Sequence, residues 1–300
     1  MKITPRVDIA FKKIFGVEEN KDLLISLINS VISKEDEVVD LELLNPYNPQ
    51  NFRHDKLSIL DIKARGIDGK LFNIEIQITD EADYHDRALY YWAKLYNEQL
   101  APGENYGLLK KAIGIHILNF VSITDKKDYH NKFIISENES GDRYFHDFEI
   151  HTIELKKFLP DSGKADLQEL INRAKNALDV WAAFLTRHDL LPKHDLPEEF
   201  KKVPVEKAIK VVDVMNFSDE ERDLYEDHLK WLRIEANTLE KRFRQGIEKG
   251  REEGKEEGKE EKKIEIAQNL LNMNLDTNQI VEATGLSREK ILELQKDIAK

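Results

Sequence analysis

The stretch LSILDIKARGIDGKLFNIEIQIT, Leu57 to Thr79, decides how this sequence folds. It alternates twice: Leu60, Ile62 and Ala64 oppose Ile59, Asp61, Lys63 and Arg65, then Phe72, Ile74, Ile76 and Ile78 oppose Asn73, Glu75, Gln77 and Thr79. Two strands, each with an apolar and a polar face, follow from that period. For the faces to stay consistent across a hairpin, paired residue numbers must sum to an even number. A three-residue loop, Ile67-Asp68-Gly69 with Gly69 left-handed, sets the sum at 136. Asp61 then lies opposite Glu75, with Cβ atoms about 5 Å apart, where two carboxylates repel unless a cation or a proton sits between them.

Two readings of that pair stay open. A divalent Mg²⁺ takes one or two carboxylates together with water and phosphate oxygens, and the main-chain carbonyl of Ile76 offers a further hard ligand. Such an ion polarises a phosphodiester and lowers the pKa of water. Alternatively, Lys63 and Arg65 neutralise both acids in a solvated strand ladder. Asp8 fits the N-cap of a helix that starts at Ile9.

Around the hairpin the pattern switches between helical and period-two stretches up to about Pro160. Asp8 to Ile32 reads as two helical segments broken near Gly16. Strands are expected at Val38 to Leu44, Leu57 to Arg65, Lys70 to Thr79, Lys111 to Phe120, Lys132 to Ile135 and Tyr144 to Ile153. Asp83 to Leu100 is an amphipathic helix between the third and fourth strands. The predicted class is α/β. Beyond Asp161 nearly everything is helical, with one stripe over Ala165 to Thr186 and a shorter helix over Val205 to Phe217. Ser218 and Glu221 form a capping-box pattern with no proline after it, so a long helix can start there.

That helix meets GIEKGREEGKEEGKEEKK, Gly246 to Lys263, a low-complexity repeat with glycine every fourth residue. It predicts a marginal helix or tether, because each glycine costs about 1 kcal/mol against alanine. The last segment, Ile264 to Lys300, predicts short helices capped at Thr277 and Ser287 around a turn at Gly285. It is either a DNA reader or a hairpin that docks on protein and joins copies of the chain. The expected divisions are therefore 1–160 for the α/β domain, 161–245 for a helical extension, 246–263 for a linker and 264–300 for a small helix-turn-helix-like unit.

Composition excludes several classes. Zero cysteines among 300 residues rule out disulfides, thiolate metal sites and a cysteine nucleophile. A net charge of −12 is the wrong sign for coating nucleic acid without selectivity, but leaves room for a local basic patch. No apolar run is long enough to span a bilayer and no export signal is apparent, so a cytoplasmic location with no membrane partner is expected. His116 reads as a satisfied core histidine, and His130, His146 and His151 share no metal-ligand spacing.

DIAFKKIFG (Asp8 to Gly16), LDIKARGIDGKLFNIEIQ (Leu60 to Gln77), RALYYWAKLY (Arg87 to Tyr96) and KAIGIHILNF (Lys111 to Phe120) together resemble the Rpn family of recombination-promoting nucleases and transposases, within the PD-(D/E)XK superfamily. The likeness spans roughly Met1 to Gly246, and the glycine-glutamate-lysine tract is also typical of that family. It implies a restriction-endonuclease-like αβββαβ core with appended C-terminal helices. It further implies a metal-dependent DNA endonuclease tied to recombination or mobile elements, using Mg²⁺ or, in its place, Mn²⁺. Position by position, Asp61 resembles the metal-binding aspartate and Glu75 the motif acid, while Gln77 stands where the motif has lysine. Glutamine brings no charge, only hydrogen bonds to water or phosphate. Lys63, on the same face, is the candidate for the displaced cation. Metal ligands are then Asp61, Glu75 and the Ile76 carbonyl, with Asp8 as a fourth; Arg87 and Tyr90 are candidates for contacting DNA. The rival reading is a catalytically silent DNA-binding or assembly protein that keeps the fold.

Overall fold

The computed structural model describes residues 3–47, 61–160, 162–215 and 217–298 of the chain. It divides into two units, Met1–Leu232 and Arg233–Lys300. In the first, α1 (Asp8–Phe15) and α2 (Lys21–Val31) precede β1 (Leu41–Leu43), β2 (Ile62–Gly66) and β3 (Leu71–Gln77). Next come α3 (Tyr84–Asn97), β4 (Ala112–Leu118), β5 (His130–Ile135) and β6 (Phe145–Glu154). Helices α4 (Leu155–Phe158), α5 (Leu167–Arg173), α6 (Ala177–Arg187), α7 (Val205–Val214) and the start of α8 (Asp219–Asn272) follow.

The six strands form one mixed sheet in the order β1-β2-β3-β4-β6-β5. β3, β4 and β6 run parallel, and the flanking pairs are antiparallel. The hairpin has the expected register: Ile62 faces Ile74, Lys63 faces Asn73 and Ala64 faces Phe72. Gly66 N–H donates to the Lys70 carbonyl at 2.9 Å, and Gly69 closes the turn at φ 87°, a conformation that L side chains rarely adopt. The Leu57 to Leu60 part of the expected strand lies outside the described residues.

The apolar face behaves as its alternation predicts. Ile62, Ala64, Phe72, Ile74 and Ile76, with Ile113, Ile115 and Ile117 of β4, are buried beneath α1, α2 and α6. Each buried isoleucine or phenylalanine among them contributes about 1.5–3 kcal/mol relative to exposure. Phe15 and Trp181 lock α1 against α6, ring centroids 5.4 Å apart in an edge contact. The other face departs from the solvated ladder. Because α3 packs on β3 and β4, it covers Asn73 and Gln77, which are buried.

The single stripe expected over Ala165 to Thr186 is two helices. Asn176 breaks it by capping α6: its side chain accepts from Asp179 N–H, and Asp179 accepts in return from Asn176 N–H at 3.0 Å. The Ser218–Glu221 box forms as read, Glu221 also binding Lys13 at 2.9 Å and the Tyr47 hydroxyl.

In the second unit the glycine repeat is helical throughout, supported by pairs such as Lys259 with Glu256. α9 (Thr277–Thr284) and α10 (Arg288–Ile298) gather Ala267, Ile280, Leu286, Ile291 and Leu294 into a small core, leaving Ile266 exposed. Asp276 caps α9 where Thr277 was expected, since its carboxylate accepts from Asn278 N–H. Ser287 does accept from Lys290 N–H, and Gly285 is left-handed at φ 68°.

Candidate metal and nucleic-acid site

α1 brings Asp8 and Lys12 to one side of the sheet, one helical turn apart. Val7 holds the N-cap position and Asp8 is the first helical residue, so Asp8 is not the cap. Burial, and then the negative charge of Glu75, pushes the Asp8 carboxyl up to about 8. Lys12 is 1% exposed, and its Nζ donates to the Asp61 carbonyl at 2.9 Å. Burial draws the Lys12 ammonium down to about 8 against the pull of Asp61. A Cβ at position 16 would lie 2.9 Å from Lys12 Cγ and 2.8 Å from the Lys12 carbonyl, so Gly16 gives this lysine its room.

Asp61 stands one residue before β2. Its carbonyl is held also by Asn45 Nδ2 at 3.0 Å, while Asn45 Oδ1 accepts from Lys63 N–H at 2.7 Å. Extending the register by one residue puts Asp61 opposite Glu75. Asp61 Oδ1 is buried with no hydrogen-bond partner. Burial raises the Asp61 pKa, and Lys63 and Lys12 oppose that rise.

Glu75 is the centre of the group. Burial pushes its carboxyl up to about 7; Arg87 counters this, and Asp61 and Glu81 add to it. Arg87 Nη2 is 3.5 Å from Glu75 Oε1 and 3.1 Å from Gln77 Oε1, and the same guanidinium pairs with Glu81. Gln77 Nε2 donates to the Thr79 carbonyl at 3.2 Å. Lys63 Nζ lies 3.6 Å from Glu98. His116, beside Glu75 on β4, is buried as expected but not satisfied: its Nδ1 has no hydrogen bond and sits 3.7 Å from Glu75 Oε2. Burial and then Arg87 hold its pKa down to about 4, so it is neutral.

The main chain offers one further oxygen. Leu71 N–H and the Gln77 carbonyl both bond toward β4, so by strand alternation the Ile76 carbonyl points to the β2 side, where Asp61 lies. Among the described residues no three His, Asp or Glu side chains converge as a cage of their own. A hard cation that keeps several waters needs only one or two carboxylates, and the unpaired Asp61 oxygen beside a partly neutralised Glu75 fits that requirement.

Sequence reasoning missed Lys12, Asn45 and Glu81. The spacing of Asp8 and Lys12, i and i+4 before a glycine, was the available signal for the first. Arg87, expected at DNA, rests on Glu75 and Gln77, whereas Tyr90 is exposed. His130 and His151, which share no sequence spacing, meet at 2.9 Å, and His151 joins Lys111, Lys132 and Arg143 around the fully buried Glu149.

A mixed α/β domain with paired carboxylates at the end of a hairpin is consistent with a PD-(D/E)XK nuclease fold. The family model for PD-(D/E)XK nuclease family transposases matches residues 5–242, and the chain belongs to that family. No curated protein and no solved structure matches it. Among the described residues no helix is long and apolar enough to cross a membrane.

Proposed function

We propose that the protein is a metal-dependent DNA endonuclease, its cuts serving recombination or the movement of DNA elements, with α1, β1–β3, α3 and β4 as the αβββαβ core. The observation that carries this reading is the pairing of Asp61 with Glu75 across the hairpin, where one Asp61 oxygen is buried without a hydrogen-bond partner and burial raises the pKa of both acids. Asp61, Glu75 and the Ile76 carbonyl would hold Mg²⁺ or Mn²⁺, with Asp8 beside them. When bound, that ion contributes Lewis acidity and charge neutralisation at the phosphate.

The chain's own groups do the rest. Lys12 and Asn45 hold the Asp61 main-chain carbonyl, which fixes the backbone from which the carboxylate projects. Gln77 holds one guanidinium nitrogen of Arg87 and keeps an amide N–H for a water or a phosphate oxygen. Arg87 and Lys63 provide the charge that glutamine lacks, stabilising a phosphate as negative charge builds up.

The test is nicking of supercoiled plasmid with Mg²⁺, with and without EDTA. Asp61→Asn and Glu75→Gln should lose cleavage while remaining folded. Cleavage that survives either change, or that ignores chelation, refutes the mechanism. One observation favours the silent reading: Gln77 replaces the motif lysine, and Arg87 is already shared among three side chains. A wild type without cleavage that still binds DNA would establish it.

We also propose that the long helix from Ser218 and the C-terminal helices of residues 264–300 join copies of the chain, with 246–263 as the spacer. Light scattering of a chain ending at Gln245 should show a lower oligomeric state; no change refutes it.

A further inference from the structure

Arg87, Tyr90 and Lys94 recur along α3 at i, i+3 and i+7, which places them on one flank of the helix. Tyr91 adjoins Tyr90, ring centroids 5.6 Å apart. At one end of this flank Arg87 reaches Glu75 and Gln77 of β3. At the other, Lys94 lies 3.7 Å from Glu98, which Lys63 of β2 approaches to 3.6 Å. The flank therefore borders β2 and β3 and runs about 10 Å from Arg87 to Lys94 at 1.5 Å per residue.

Between Arg87 and Lys94 the helix carries no acidic residue, in a chain of net charge −12. The acids that pair with these cations, Glu75 and Glu81 at Arg87 and Glu98 at Lys94 and Lys63, sit at the two ends of the flank, and Lys94 is exposed. Tyr90 is 64% exposed, so it is not a core residue. An aromatic ring held between cations suits a polymer that alternates phosphates with flat bases. Duplex bases are already stacked and paired, whereas an unpaired strand presents a free π-face at each nucleotide.

We propose that this flank of α3, with the adjoining residues of β2, is a track for single-stranded DNA: phosphates lie on Arg87, Lys94 and Lys63, and an unpaired base stacks on Tyr90. The track leads to Asp61 and Glu75, so it specifies the form of substrate that the nuclease reading left open. It rests on that reading for the fate of the strand, but not for its binding.

The test uses the full chain in EDTA, with fluorescence anisotropy of a labelled oligothymidylate and of a labelled hairpin duplex. Single strand should bind at least tenfold tighter than duplex. Tyr90→Ala should weaken single-strand binding about five- to a hundredfold, the range of one lost base stack. Tyr90→Phe, which keeps the ring, should stay within about twofold. Lys94→Gln should lower the salt slope by about 0.7, one phosphate contact on a single strand. Equal affinity for both forms, no detectable binding, an unchanged Tyr90→Ala protein, or equal losses in the Ala and Phe variants would each overturn the track. Because no cleavage is read, failure of the nuclease reading appears only in the plasmid assay, and failure of the track only here.

Discussion

Glu75→Gln should make the metal-free protein more stable while removing its proposed activity. The Glu75 carboxyl is 19% exposed and is pushed up from 4.5 to about 7, chiefly by burial. At 1.36 kcal/mol per decade this difference corresponds to about 3 kcal/mol. The sign follows from proton counting. Between pH 4.5 and about 7 the folded state holds a proton that the unfolded chain releases, so wild-type stability falls across that window and stays low above it. Glutamine carries no charge to bury and can still accept from Arg87. After discounting for partial exposure and for coupling to Asp61, the gain at pH 8 should be about 1–3 kcal/mol, a rise in Tm on the order of 5 °C. It should vanish near pH 4.5. The assay is thermal unfolding in EDTA at both pH values, repeated with Mg²⁺, which should stabilise the wild type alone. A variant that is no more stable at pH 8, or that gains as much at pH 4.5, refutes the account of a strained acidic site.

Gln77→Lys should raise plasmid nicking if the site is short of charge; a drop would mean that the hydrogen bond to Arg87 matters more, and kcat would show it. Gly16→Ala places a Cβ against Lys12 and should cost about 1–3 kcal/mol, with a matching loss of cleavage as Asp61 loses its support; chemical denaturation reads the first and nicking the second. Glu149→Gln leaves Lys111, Lys132 and Arg143 around an uncharged group and should cost about 3–5 kcal/mol by the same denaturation experiment. Burial alone would raise the Glu149 pKa, but His151, Lys111 and Lys132 hold it well below 4.5, so its contribution is present above pH 4.5 and is lost as pH falls further.

The hairpin was legible because period-two alternation and a three-residue turn leave one register, and Ile62 against Ile74 is that register. Lys12 was only half legible: its spacing from Asp8 before a glycine was in the sequence, but its burial against Asp61 depends on Gly16 and on how α1 packs on the sheet. The same holds for Arg87. Its position on α3 was readable, but its grip on Gln77 depends on where α3 crosses β3. Burial of Gln77 and Asn73 was missed because alternation reports only that the two faces differ, not that a second helix covers the polar one. At Asn176 a cap overrode a continuous apolar stripe.

The parallel contact between β3 and β4 has a consequence for synthesis on the ribosome. Every side chain of the proposed centre lies between Asp8 and Arg87, yet Glu75 and Gln77 lack their neighbours His116 and Leu118 until β4 is made. A parallel partner arrives only after a crossover, here through α3. At roughly 5–20 residues per second, a nascent chain spends a few seconds with its acidic residues translated but their surroundings incomplete. The surroundings that Glu75 and Gln77 take from β4 are therefore in place only once the sheet is complete.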